Sequence, residues 1–94
     1  MSAPYSIGSD VWPGTGKVLE EMGELAQVIG KLIGSGGNPD HWDGSNLVAR
    51  LYEETSDVFA AMELMVGACD MDMDLVNSRM VEKVSLFWLW HHND

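Results

Sequence analysis

The chain has 94 residues, enough for one domain and a thin core. Its 15 acidic and 5 basic side chains give a formal charge of −10, which argues against nucleic acid polymers and anionic membranes, since both demand a basic footprint. With 46% apolar residues the composition is that of a folded globule rather than a disordered acidic segment.

Residues 1–14 contain Pro4, Gly8, Pro13 and Gly14 and read as an irregular arm. The opening residues, MSAPYSIGSD, lack the basic and apolar blocks of a secretory signal, and no apolar run approaches the ~20 residues of a membrane span. Cys69 is the single cysteine, so no intrachain disulfide can form, and it reads as a small packing residue. A cytoplasmic protein is the expectation.

The first helix is expected from about Thr15 to Ile33. Val18, Met22, Leu25, Ile29, Leu32 and Ile33 recur at helical spacing, with Thr15 as candidate cap and Gly34 as terminator. A polar, Gly-rich loop follows at 34–46. The second helix, about Leu47 to Val66, has Asp43 and Ser45 as candidate caps and carries two apolar arcs. One holds Leu47, Leu51, Val58 and Met65, the other Val48, Tyr52, Phe59 and Val66. A helix apolar on two sides is buried on two sides, so it is expected to be central. The acidic turn 70–74 suits the positive N-terminal end of a third helix, about Asp72 to Trp90, which closes on the apolar segment FWLW. No useful β-alternation is present. The expected fold is all-α, a single domain over 1–94. Its three helices complete a four-helix-bundle-type core by oligomerisation, because FWLW and the second arc are too apolar to stay exposed.

Two carboxylate pairs stand out. Glu21 and Glu24 lie about 60° apart on helix one, beside its apolar stripe. Glu54 and Asp57 repeat the i, i+3 spacing on helix two, and Glu54 falls inside the arc of Leu47, Leu51, Val58 and Ala61. An ionised carboxylate on a buried face is unfavourable unless a partner neutralises it. Four carboxylates brought together by facing helices repel, and five scattered basic residues are too few to offset them. Hard oxygen donors from two helices suit Mg²⁺ or Mn²⁺. Read singly, each spacing is equally that of a solvated face or a salt bridge; Glu20, on the outer face, divides evenly between such a surface role and a ligand role. Lys17 sits one turn before Glu21. Arg79 and Lys83 are i, i+4 neighbours on helix three, placed either to meet phosphates or to pair with acids such as Glu82. Trp12, His41 and Trp42 lie in irregular segments, where an aromatic ring either stacks on a base or plugs a thin core.

The stretch KVLEEMGELAQVIGKL (17–32), followed by EETSD (53–57), resembles the MazG-like all-α nucleotide pyrophosphohydrolases. Their EExxE element is matched by Glu20, Glu21 and Glu24, and their ExxD by Glu54 and Asp57. The resemblance extends to an Asn followed by basic residues two and six positions later, here Asn77, Arg79 and Lys83. It implies metal ligands Glu21, Glu24, Glu54 and Asp57, and a general base at Glu20 or among the ligand carboxylates such as Glu21. It also implies Asn77, Arg79 and Lys83 around the substrate; Lys17, on the metal-site face, and Trp12, an aromatic in an irregular segment, are further candidates read from the residues themselves. The implied reaction is Mg²⁺-dependent hydrolysis of nucleoside triphosphates, deoxynucleotides foremost, to monophosphate and pyrophosphate in a homodimer or homotetramer. Alternatives are a related enzyme on dUTP or phosphoribosyl-ATP, and a non-catalytic metal-binding helical oligomerisation module.

Overall fold

A computed structural model describes residues 12–93, and the arm before Trp12 lies outside the described residues. Three helices follow in order: α1 (Thr15–Gly34), α2 (Leu47–Ala68) and α3 (Met73–Asn93). No strand occurs among the described residues; a single antiparallel bridge, Asp40 to Asn46, closes the long loop. The all-helical expectation holds, with helix starts placed within a residue.

The caps differ from those read in the sequence. Thr15 is the first helical residue, and Gly14 precedes it in the left-handed region at φ 88. The Thr15 hydroxyl instead donates to the Trp12 carbonyl at 2.7 Å. Asn46, rather than Asp43 or Ser45, caps α2, its Oδ1 accepting from the Ala49 amide at 2.9 Å. The loop decides this, because the Leu47 amide donates to Pro39 at 2.6 Å and fixes where the helix begins. Asp43 organises the turn before it, accepting from both the amide and hydroxyl of Ser45. Those bonds hold its carboxyl below the usual range. Asp72 accepts from the Asp74 amide at 2.9 Å in front of α3.

α1 and α2 form the packed pair. Val18 and Val28 from α1 meet Leu47, Val58 and Ala61 from α2, and these five make up the buried apolar core among the described residues. The inward arc of α2 is the one that starts at Leu47. The opposite arc faces out, with Tyr52 74% and Phe59 68% exposed. At the other end of the pair, Gly14 lies directly against α2. A Cβ there would stand 2.8 Å from the Met65 Cα, so only glycine fits both the contact and the positive φ. The Cys69 thiol donates to the Pro13 carbonyl at 3.1 Å and ties the same segment down.

Among the described residues, α3 contributes none that is fully buried. Leu75, Val81, Phe87, Trp88 and Trp90 are all more than half exposed. Among the described residues, Val84, Phe87, Trp88 and His91 line an open apolar groove of about 430 Å³ along it. The chain measures 41 × 36 × 18 Å with a radius of gyration of 16.5 Å. A closed globule of this length would have about 12 Å. The single chain is therefore a two-helix hairpin with a third helix that it does not cover.

Candidate metal centre

The site stands at the α1–α2 contact. Glu21 enters it from α1 because its position borders the Val18–Val28 stripe. Glu54 and Asp57 enter from α2, Glu54 one turn before the buried Val58 and Asp57 immediately before it. One carboxylate oxygen from each of Glu21, Glu54 and Asp57 lies within 4.8 Å of the others. Glu21 is only 7% exposed, the one buried charged residue among those described, while Glu54 is half-buried and Asp57 exposed.

Local hydrogen bonding leaves this group incomplete. Glu21 Oε1 accepts from Lys17 Nζ at 3.0 Å, one turn earlier on the same helix. Glu21 Oε2 and Glu54 Oε2 are buried and have no partner. A buried carboxylate oxygen without a donor carries an uncompensated desolvation penalty, and two facing each other add repulsion. Glu24, one turn along α1, is exposed at the edge of the group. The charges of Glu21 first, and then Glu54, push its carboxyl above the usual range. A divalent cation satisfies what a proton or a second lysine cannot, namely several oxygens from two helices at once. An all-carboxylate donor set is that of a hard ion such as Mg²⁺ or Mn²⁺. Glu21, Glu54 and Asp57 fit as ligands as they stand, and Glu24 is next to them.

Beside the carboxylates, Lys17, Glu21, Asp57, Ala60, Ala61 and Leu64 line a cleft of about 320 Å³. Ala60 and Leu64 had not stood out in the sequence, and Ala61 only as part of the apolar arc around Glu54. The signal was the pair of small residues one turn after Asp57, which leave room where larger side chains would fill the cleft. The Lys17 ammonium is pushed above the ordinary lysine value, by its bond to Glu21 first and by the Glu20 charge second. Glu20 is exposed, with Lys17 Nζ at 3.6 Å.

The remaining candidates stand elsewhere in the single chain. Asn77 and Arg79 are exposed on α3 and Lys83 is half-buried there. Arg79 pairs with Glu82 at 3.8 Å on its own helix. None of the three lines the cleft or forms an ion pair with the carboxylate group among the described residues. Trp12 is 63% exposed and Trp42 89%, the latter against the His41 ring at 5.5 Å; neither lines the cleft. No family model, curated protein or solved structure matches the chain.

Proposed function

We propose that the protein is a Mg²⁺-dependent nucleoside triphosphate pyrophosphohydrolase, with Mn²⁺ an alternative ion and deoxynucleoside triphosphates the expected class of substrate. The observation that carries this reading is the convergence of Glu21, Glu54 and Asp57 within 4.8 Å around two buried oxygens that have no partner. The resemblance of 17–32 and 53–57 to the MazG-like enzymes supports it from the sequence.

Glu21, Glu54 and Asp57 would hold the ion, which would offset their charge and supply Lewis-acid activation of phosphate and water. The chain's own residues supply the rest. Glu20 or one of the cluster carboxylates accepts the proton of the attacking water. Water adds at the α-phosphorus, the bond to the bridging oxygen breaks, and pyrophosphate leaves. The products are nucleoside monophosphate and pyrophosphate, consistent with a cytoplasmic house-cleaning role in the nucleotide pool. Lys17, half exposed and lining the cleft, supplies the positive charge for an anionic substrate.

Assembly belongs to the same proposal. The outward arc of α2 and the uncovered α3 leave large apolar side chains exposed, Tyr52 and Phe59 on one and Phe87, Trp88 and Trp90 on the other. A homodimer or homotetramer that buries them completes a four-helix-bundle-type core and offers Asn77, Arg79 and Lys83 a route to the phosphates. Light scattering at micromolar concentration checks this, and a monomer would contradict it.

One observation favours a second reading. In the single chain Arg79 is occupied by Glu82 and lies off the cleft. That arrangement fits a metal-binding oligomerisation module without turnover. Incubating the protein with a nucleotide panel and Mg²⁺ or Mn²⁺, and measuring monophosphate and pyrophosphate, decides between them. Stoichiometric release of both products supports the enzyme; no release from any nucleotide leaves the module.

A further inference from the structure

Lys17 has two carboxylate partners on its own helix, and they differ in kind. Nζ lies 3.0 Å from Glu21 Oε1, whose side chain is 9% exposed, and 3.6 Å from Glu20 Oε1, whose side chain is 58% exposed. Lys17 is itself half exposed at 51% and lines the cleft with Glu21 and Asp57. Glu21 is thus divided. One oxygen is engaged by the ammonium, and the other is buried without a donor.

We propose that Lys17 is an internal counter-ion that competes with the divalent cation for Glu21 and shifts to Glu20 when the cation binds. The inference rests on the metal-site reading above. A cation held by Glu21 stands within about 5 Å of an ammonium on the same carboxylate. At that range like charges repel even at the dielectric constant of water. The Lys17 stem is long and half exposed, and a second, solvated carboxylate lies within reach on the outer face. Transfer from Glu21 to Glu20 therefore relieves the repulsion without leaving a buried charge unpaired. Lys17 is a positioning residue here: it holds Glu21 Oε1 in an ion pair without the metal, and it lowers the affinity of the loaded site.

The sign of the expected effect is what separates this role from a structural one. Loss of a merely stabilising ion pair weakens metal binding, whereas loss of a competitor strengthens it. Calorimetric titration of Mn²⁺ into the 94-residue wild-type chain, Lys17→Met and Lys17→Arg measures this directly. Lys17→Met should bind Mn²⁺ about tenfold more tightly at low salt, the scale expected for removing one unit charge beside a divalent ion. Lys17→Arg should bind like wild type. A second measurement needs no variant: in ¹⁵N-lysine-labelled wild type the Lys17 side-chain resonance should shift on Mn²⁺-free titration with Mg²⁺ and not with Na⁺ at equal ionic strength. Equal or weaker Mn²⁺ binding by Lys17→Met, or an unmoved resonance, overturns the inference. Absence of binding in all three proteins overturns both it and the metal site. Tighter binding in Lys17→Met by a protein that releases no pyrophosphate supports the counter-ion role and removes only the enzymatic reading.

Discussion

Glu54→Gln exposes the electrostatic tension in the site. The substitution preserves shape and takes one charge from a group whose oxygens lie within 4.8 Å of each other. Two unit charges at that distance repel by about 0.9 kcal/mol at the dielectric constant of water, and by about 3.5 kcal/mol at an effective value of 20. Glu54 is half-buried, so the relief falls between these limits, on the order of 1–2 kcal/mol. The new amide also brings a donor to a group that holds two unpartnered buried oxygens. For a domain of this size that corresponds to a rise in Tm of roughly 5–15 °C for the metal-free protein. Scanning calorimetry with chelator, at fixed protein concentration, measures it. Millimolar Mg²⁺ should raise the Tm of wild type saturably and that of Glu54→Gln much less, since the variant has lost a ligand. Pyrophosphate release should vanish although the protein stays folded. A lower Tm for the metal-free variant would refute the reasoning, because it would mean that Glu54 is a net stabiliser and its oxygen is not in conflict with its neighbours.

Three further outcomes follow from particular contacts. Gly14→Ala should destabilise the fold by at least about 1 kcal/mol in urea melts, as its Cβ meets the Met65 backbone at 2.8 Å and the left-handed φ is strained for alanine. The Glu24 carboxyl is raised by Glu21 and Glu54, so the folded state holds that proton more tightly than the unfolded chain. Stability of the metal-free protein should accordingly fall as pH rises from the ordinary value of 4.5 through the raised one, and Glu24→Gln should flatten this fall in pH-dependent melts. Arg79→Ala should leave Mn²⁺ affinity intact while lowering kcat/KM about ten- to a hundredfold, the loss of one charge-assisted phosphate contact; unchanged turnover would remove α3 from the substrate site.

The helices were legible because apolar spacing in α1 and α2 is strong and Gly-rich segments separate them. The carboxylate centre was legible for one reason in particular. Glu54 interrupts an otherwise apolar arc, and a charge in that position has to be compensated where the arc packs. The caps were not legible, since Asp43, Ser45 and Asn46 are all good cap types. The choice among them is made by the bridge at Asp40–Asn46 and the Leu47–Pro39 bond, which no local pattern encodes. Glu24 was grouped with the other three by spacing, yet 60° of helix rotation separates it from Glu21 and leaves it exposed at the rim. The position of α3 was the least legible part. Its apolar residues run through Leu75, Val81, Val84 and Phe87 to Trp90 on more than one face, so the sequence marks it as needing cover without marking what covers it.

Anomalous scattering from crystals of the 94-residue chain soaked in Mn²⁺ tests the central claim most directly. The account predicts a manganese peak between Glu21, Glu54 and Asp57, with Lys17 Nζ moved off Glu21 toward Glu20. Crystals that take up manganese elsewhere, or that keep the Lys17–Glu21 contact beside an empty carboxylate group at saturating Mn²⁺, would contradict it.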